Sequence, residues 1–258
     1  YAAASGYGQD GPYRDRPGQD LLIQALSGLA NITGSEDQPP TPVGVSAADH
    51  HGAMILAMAI LAALLRRERT GQGGRVDVDL LSAGLDLQME TLVCYANGPP
   101  VSQRAAPNLG GWHYQAPYGI YEVSDGHVAI SLGPMKSLAN ALSLPALTDF
   151  EVDDTFTHRR EIAASVQGAV REMTVECLCD RLDAENIWNA PVNDYAKVLE
   201  DPQVRFNGSL LKIESTHGNP MTLLAHPAKY DGKRPGVRLP PQLLGAQSEE
   251  ILGELGYT

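Results

Sequence analysis

The sequence predicts a mixed α/β protein, and three stretches carry that prediction. Ala53 to Leu65 is an unbroken apolar run of thirteen residues, short of the roughly 18 to 20 that a membrane span needs, and it reads as a buried core helix. Arg75 to Leu81 sets Val76, Val78 and Leu80 against Arg75, Asp77 and Asp79, the period of two expected of a strand with one polar face. Tyr118 to Val123 and His127 to Leu132 alternate around Ser124-Asp125-Gly126, which is a strong hairpin signal.

The remaining elements follow in order along the chain. Tyr1 to Pro17, rich in Gly, Pro, Asp and Arg, reads as the end of a strand followed by a loop. Leu21, Leu22, Ala25, Leu26 and Leu29 recur at three and four, predicting one helix from Asp20 to about Asn31. Ser46 and Asp49 sit three apart just before the apolar run, a helix N-terminus signature. Arg66, Arg67 and Arg69, followed by Gly71, Gly73 and Gly74, mark that helix's end. A further helix is expected over Ser82 to Tyr95.

Residues 97–117 hold four prolines and three glycines around Trp112, His113 and Tyr114, too long a stretch for a tight turn, so they read as a linker or a functional loop. Beyond the hairpin, helical spacing is expected at Lys136 to Leu142, Arg159 to Glu172 and Val175 to Glu185, so that 118–195 forms a small α+β unit. A short helix over Asp194 to Asp201, paired strands at Ser209 to Glu214 and Met221 to Ala225, and a last helix at Ser248 to Leu255 complete the chain. No internal repeat is visible.

Charge narrows the function. Thirty-one acidic residues against 19 Lys and Arg leave a formal charge of −12, a poor match for nucleic acid or an anionic membrane surface. Three cysteines make no disulfide framework, which fits a reducing, cytoplasmic setting. Cys177 and Cys179 fall on different faces of a helix with no histidine pair at ligand spacing, so no metal site is expected.

Among candidate chemical residues, Asp49 stands first. A carboxylate in the first turn of a long helix lies among free backbone N–H groups at the positive end of the macrodipole. By position alone a helix cap is the commoner role; a fixed carboxylate there is also a competent nucleophile toward an activated acyl group. His50 and His51 point away from it by roughly 100° and 200°. Gly110 and Gly111, in the segment Asn108-Leu-Gly-Gly-Trp112, are either hinges or a route for backbone N–H groups to reach a substrate oxygen. Arg14 and Arg16 are either a solvated face or phosphate contacts, and Trp112 and Trp188 read as core or interface anchors.

These residues stand in a recognisable order. Ser5-Gly-Tyr-Gly-Gln-Asp-Gly-Pro12, Arg16-Pro-Gly-Gln-Asp20, Gly44-Val-Ser-Ala-Ala-Asp49, the helix closed by Arg69-Thr-Gly-Gln-Gly73 and the strand Val76-Asp-Val-Asp-Leu80 together resemble the family III CoA-transferases, a family that also holds the carnitine-related CoA-transferases and the 2-methylacyl-CoA racemases. Pro117-Tyr-Gly-Ile-Tyr121, Ala190-Pro-Val-Asn193 and Arg238-Leu-Pro-Pro-Gln-Leu-Leu-Gly245 extend the resemblance over nearly the whole chain.

The resemblance implies the family III fold: a partial Rossmann-like large domain, with 1–96 as its central part, 97–117 as linker and glycine loop, 118–195 as the small α+β domain, and 196–258 as a segment returning to the large domain. It implies an enzyme that moves CoA from an acyl-CoA donor to a small carboxylic acid through an aspartyl-CoA thioester on Asp49. Arg14, Arg16, Gln19, Asn108, Gly110 and Gly111 would contact CoA or intermediates. The CoA thioester is then a substrate, with no permanently bound cofactor. The racemases place a histidine where this chain has Gln19, which cannot act as a general base, so transfer is favoured over racemisation. Intact relatives pair as interlocked homodimers and begin with a Rossmann half-domain upstream of Tyr1, so the chain is expected to be a truncated form, with an inactive interaction module as a third reading. No glycine fingerprint supports an oxidoreductase or nucleotide-binding role.

Overall fold

The computed structural model describes residues 1–98, 103–151, 154–216 and 218–257. The chain divides into two compact units, Tyr1–Val192 and Asn193–Thr258. The first carries β1 (Ala2–Ser5), α1 (Asp20–Leu26), α2 (Leu29–Ile32), α3 (Ala47–Thr70), β2 (Val76–Asp79), α4 (Leu80–Asp86) and α5 (Met89–Asn97). It continues with β3 (Gly119–Val123), β4 (Gly126–Ile130), α6 (Met135–Leu142), a 3-10 turn at Pro145–Asp149, α7 (Asp154–Thr157), α8 (Arg159–Val170), α9 (Val175–Ala184) and β5 (Asn189–Pro191). The second carries α10 (Tyr195–Glu200), α11 (Pro202–Phe206), β6 (Leu210–Glu214), β7 (Pro220–Leu224) and α12 (Ser248–Glu254).

Strands β1 and β2 pair in parallel, Ala2 opposite Val76 and Ser5 opposite Asp79, with α3 in the crossover between them. Small residues set how the surrounding helices cross. A Cβ on Gly52 of α3 would stand 2.9 Å from Leu80 Cδ2, and one on Gly84 of α4 would stand 2.9 Å from Ile23 Cγ2 of α1. At both points a glycine lets the neighbouring side chain come down onto the helix backbone.

The expected helix from Asp20 is broken after Leu26, because Gly28 adopts φ 90° and starts α2 as a separate turn. The expected helix over 82–95 is likewise two, separated at Leu87 and Gln88. A larger correction concerns α3. It forms where expected, yet among its residues only Ala48 and Gly52 are buried. Met54, Met58 and Leu61 lie 70%, 64% and 67% exposed along one stripe. Within these 24 residues an 18-residue stretch reaches a mean hydropathy of 1.6, so by length and composition alone the helix is long and apolar enough to cross a membrane. A helix apolar all round is one that becomes covered on more than one side. Here α4 and β2 cover one.

The best-packed core lies further along. The hairpin β3–β4 pairs antiparallel with Val123 opposite Gly126, as its turn residues predict, and β5 adds on the far side of β4, in the order β3-β4-β5. Tyr121, Val123, Val128 and Ile130 from the sheet meet Leu138 and Leu142 of α6, Ile162 and Val166 of α8, and Leu178 and Leu182 of α9. Tyr121 is fully buried, and its hydroxyl donates to the Pro117 carbonyl at 2.8 Å. Burial pushes its phenol well above the ordinary tyrosine range. Residues 103–117 pack within this same first unit, with Ala105, Leu109, Trp112 and Ala116 buried. The second unit holds an antiparallel hairpin, β6–β7, with Leu210 opposite Leu224.

Candidate active site

Asp49 sits in the first turn of α3 with its side chain exposed. Ser46 occupies the N-cap position but makes no capping hydrogen bond. The cap comes instead from another element. Asp20, the first residue of α1, accepts the backbone N–H of Ala48 at 2.8 Å and that of Asp49 at 3.3 Å on the same Oδ1. Gln24, one turn along α1 and fully buried, donates to Asp20 Oδ2 at 2.6 Å and accepts the Val43 N–H at 2.8 Å. The helix terminus is thus satisfied from outside, and no hydrogen bond occupies the Asp49 carboxylate among the described residues. Asp49 is therefore not the cap of its own helix.

The histidines after it take other roles. His50 is exposed, and His51 meets Asp86 of α4 at 2.7 Å, tying α3 to α4. Among the described residues neither ring makes a hydrogen bond or ion pair with the Asp49 carboxylate, in line with their helical phases.

Gln19 is the N-cap residue of α1 and lies directly before Asp20, so the Asp20 to Ala48 bond places it in the same neighbourhood as Asp49. The loop leading to it is held by two glycines in backbone contact: a Cβ on Gly6 would stand 2.7 Å from Gly18 Cα, and one on Gly18 would stand 2.4 Å from Gly6 Cα. No other residue fits at either position, which is the physical content of the Gly-rich and Arg-Pro-Gly-Gln-Asp motifs. In that loop Arg14 pairs with its neighbour Asp15 at 3.1 Å, and the Arg16 guanidinium lies 4.0 Å over the Tyr13 ring. Arg16 also borders a largely apolar cavity of about 430 Å³ shared with Tyr7 and Leu22.

Asn108, Gly110 and Gly111 form a second group, on the outer edge of β3. Asn108, at φ 69°, accepts the Ile120 N–H at 2.8 Å, and Gly110 donates its N–H to the Tyr118 carbonyl at 2.9 Å. The Gly110 N–H is therefore engaged by the sheet edge, whereas that of Gly111 makes no hydrogen bond among the described residues. Aromatic rings explain why both are glycine: a Cβ on Gly110 would stand 2.9 Å from the Tyr118 ring, and one on Gly111 would stand 2.9 Å from the Tyr114 ring. Asn108 and Gly110 line the largest cavity described, about 1030 Å³, together with Glu122, His127, Gln167 and Arg171. Asp49 does not line it. No hydrogen bond joins the Asp49 group to the Asn108 group among the described residues.

Two positioning residues, Gln24 and Gln167, were invisible in the sequence, reading only as parts of helices. A third, Asp20, was legible as the end of the Arg16-Pro-Gly-Gln-Asp20 motif and the start of a helix, but not as a cap. Gln167 of α8 bonds the backbone of Glu122 in both directions, at 3.0 and 2.8 Å, while accepting from Asn108 Nδ2 at 2.9 Å. Among the described residues no group of three or more His, Cys, Asp or Glu side chains could hold a metal ion.

Comparison with known proteins places this geometry. Residues 1–248 match the model of CoA-transferase family III. Succinyl-CoA:glutarate CoA-transferase of Mus musculus is 30% identical over 264 residues, covering 99% of this chain and 59% of that protein. Acetyl-CoA:oxalate CoA-transferase of Acetobacter aceti is 29% identical, covering 92% of this chain and 62% of that protein. The crystal structure of a CaiB/BaiF family protein from Brucella suis superposes with a TM-score of 0.78 at 28% identity, covering 99% of this chain and 67% of that one. The chain spans about three-fifths of the length of these curated relatives. With its parallel β1–β2 crossover, its aspartate at the start of α3 and a family match over nearly its whole length, the chain belongs to CoA-transferase family III.

Proposed function

We propose that the protein transfers coenzyme A from an acyl-CoA to a small carboxylic acid, with Asp49 as the covalent nucleophile. The observation that carries this reading is the capping of α3 by Asp20, which leaves the Asp49 carboxylate exposed and unengaged at the positive end of a 24-residue helix.

An Asp49 carboxylate oxygen attacks the thioester carbonyl, the C–S bond breaks, and CoA leaves as thiolate from an acyl-aspartyl anhydride. The thiolate attacks the Asp49 acyl carbon, releasing the donor acid and forming an aspartyl-CoA thioester. The acceptor carboxylate attacks that same carbon, again expelling CoA thiolate and forming a second anhydride. The thiolate then attacks the acceptor's carbonyl, giving the new acyl-CoA and regenerating the Asp49 carboxylate. Each step passes through a tetrahedral oxyanion, and the free N–H of Gly111 is the donor of the glycine pair available to it. Gly110 can contribute only when its bond to Tyr118 opens. Gln19 beside the site offers no proton-accepting group, which sets racemisation at an α-carbon apart from this chemistry.

The acceptors tested first are those in the relatives' names, glutarate and oxalate, with succinyl-CoA and acetyl-CoA as donors. Homodimerisation and a cytoplasmic setting belong to the same reading. Asp49→Ala should lower turnover by at least about a thousandfold with the melting profile unchanged. Hydroxylamine should trap the wild-type acyl-enzyme at Asp49. Near-normal turnover in that variant would overturn the mechanism.

A further inference from the structure

Among the described residues of the first unit, Ser27 Oγ and Trp112 Nε1 are buried without a hydrogen-bond partner, as are both ring nitrogens of His113 next in sequence. Ser27 and Trp112 are each 8% exposed, and both border one small cavity of about 70 Å³. Gln88 joins them there. Its Nε2 is committed to the carbonyls of Ser27 and Gly84 at 3.0 and 2.8 Å, which turns its Oε1 toward Gly28 at the cavity wall. Thr91 and Gln103 supply further polar groups, and among the described residues no charged side chain borders the space.

These groups define the occupant. An indole N–H only donates, an amide oxygen only accepts and a serine hydroxyl does both, so whatever fills the space must accept and donate at once. The absence of charged walls disfavours an ion, and the volume corresponds to about two water molecules at roughly 30 Å³ each. A polar cavity with several convergent partners holds ordered water where an apolar one stays dry.

We propose that this cavity is a structural hydration site, in which bound water accepts from Trp112 Nε1 and bridges it to Ser27 Oγ and Gln88 Oε1. The bridge joins two parts of the molecule that the proposed function brings into one reaction. Trp112 directly follows Gly111, and Ser27 terminates α1, whose first residue caps α3 beside Asp49. The site stands on these orphaned atoms and holds whatever the role of Asp49.

Crystals of the wild-type protein diffracting to high resolution test it directly. Water density within about 2.7–3.2 Å of both Trp112 Nε1 and Ser27 Oγ is the expected result. In solution, Trp188→Phe leaves Trp112 as the single tryptophan. Its indole proton should show a cross-relaxation signal to long-lived water, weakened by adding Ser27→Ala. A dry cavity, a protein oxygen accepting from Trp112 Nε1, or a side chain from a second copy filling the space overturns the proposal. So does an unchanged water signal in the Ser27→Ala protein. If that variant fails to fold, the wild-type density and the Trp112 signal still decide.

Discussion

Asp20 Oδ1 accepts the backbone N–H of Ala48 at 2.8 Å, so the helix that presents Asp49 is capped by a residue 28 positions upstream. A cap of this kind contributes about 1 kcal/mol. Asp20→Ala should therefore lower the melting temperature by about 2–4 °C in a chain of this size. Ser46→Ala should leave it unchanged, because Ser46 makes no capping bond. Differential scanning calorimetry of the two variants separates the cap that acts from the one the local sequence suggests.

Gly6→Ala should be far more harmful. Its new methyl group would stand 2.7 Å from Gly18 Cα, a backbone atom that cannot rotate away. Forced overpacking of this sort costs about 1–3 kcal/mol or more. Gly73→Ala, with nothing within 4 Å of the added carbon, is the control. Its urea midpoint should equal or slightly exceed that of the wild type.

The Glu36 carboxylate is held by both arms of the Arg160 guanidinium, one of them at 2.6 Å. Hydrogen bonding to Arg160, and then the attraction between the two charges, holds its pKa below the ordinary glutamate value. A lowered folded-state pKa means stability that is present above the unfolded value of about 4.3 and is lost as pH falls through the folded one. The pair is partly exposed, so its contribution should be under about 1 kcal/mol. Glu36→Gln should lose this increment at neutral pH and match the wild type under strongly acidic conditions, as chemical denaturation at the two pH values would show.

Gln167→Ala should loosen the glycine segment without unfolding the sheet. Its amide pairs with Glu122 like an added strand residue and also holds Asn108. Amide exchange at Gly110 and Ile120, whose N–H groups bond Tyr118 and Asn108, should accelerate, while Val128 in the central strand should keep its protection. Equal acceleration at all three positions would mean that Gln167 supports the whole sheet.

The features legible in the sequence were local ones. The β3–β4 hairpin announced itself through Ser124-Asp125-Gly126, and α9 begins where Thr174 caps Cys177 at 3.2 Å, just ahead of the predicted start. Helix α3 was legible from its apolar run and the arginines at its end, and Asp49 from its place before that run. What escaped depends on distant partners. The break at Gln88 is fixed by its side chain reaching Ser27, 61 positions away. β5 exists because β4 offers it a ladder, since Asn189-Ala-Pro191 carries no strand pattern of its own. The trans cap by Asp20 likewise leaves no mark in spacing, so position alone favoured a capping role for Asp49 that its side chain does not take. The burial of α3 was misjudged for a related reason: hydropathy reports what a helix can bury, and burial depends on what lies beside it.

The bare stripe on α3 gives the protein a chemical readout of its own surroundings. Met54 and Met58 present their thioethers on that stripe, whereas Met135 is packed in the core beneath the β3-β4-β5 sheet. Thioether oxidation follows exposure. Dilute peroxide should convert the first two to sulfoxides well before the third. Whatever comes to lie over the stripe, be it a second copy or another polypeptide, will register as slowed oxidation at two known positions, and peptide mass spectrometry can follow it without any label.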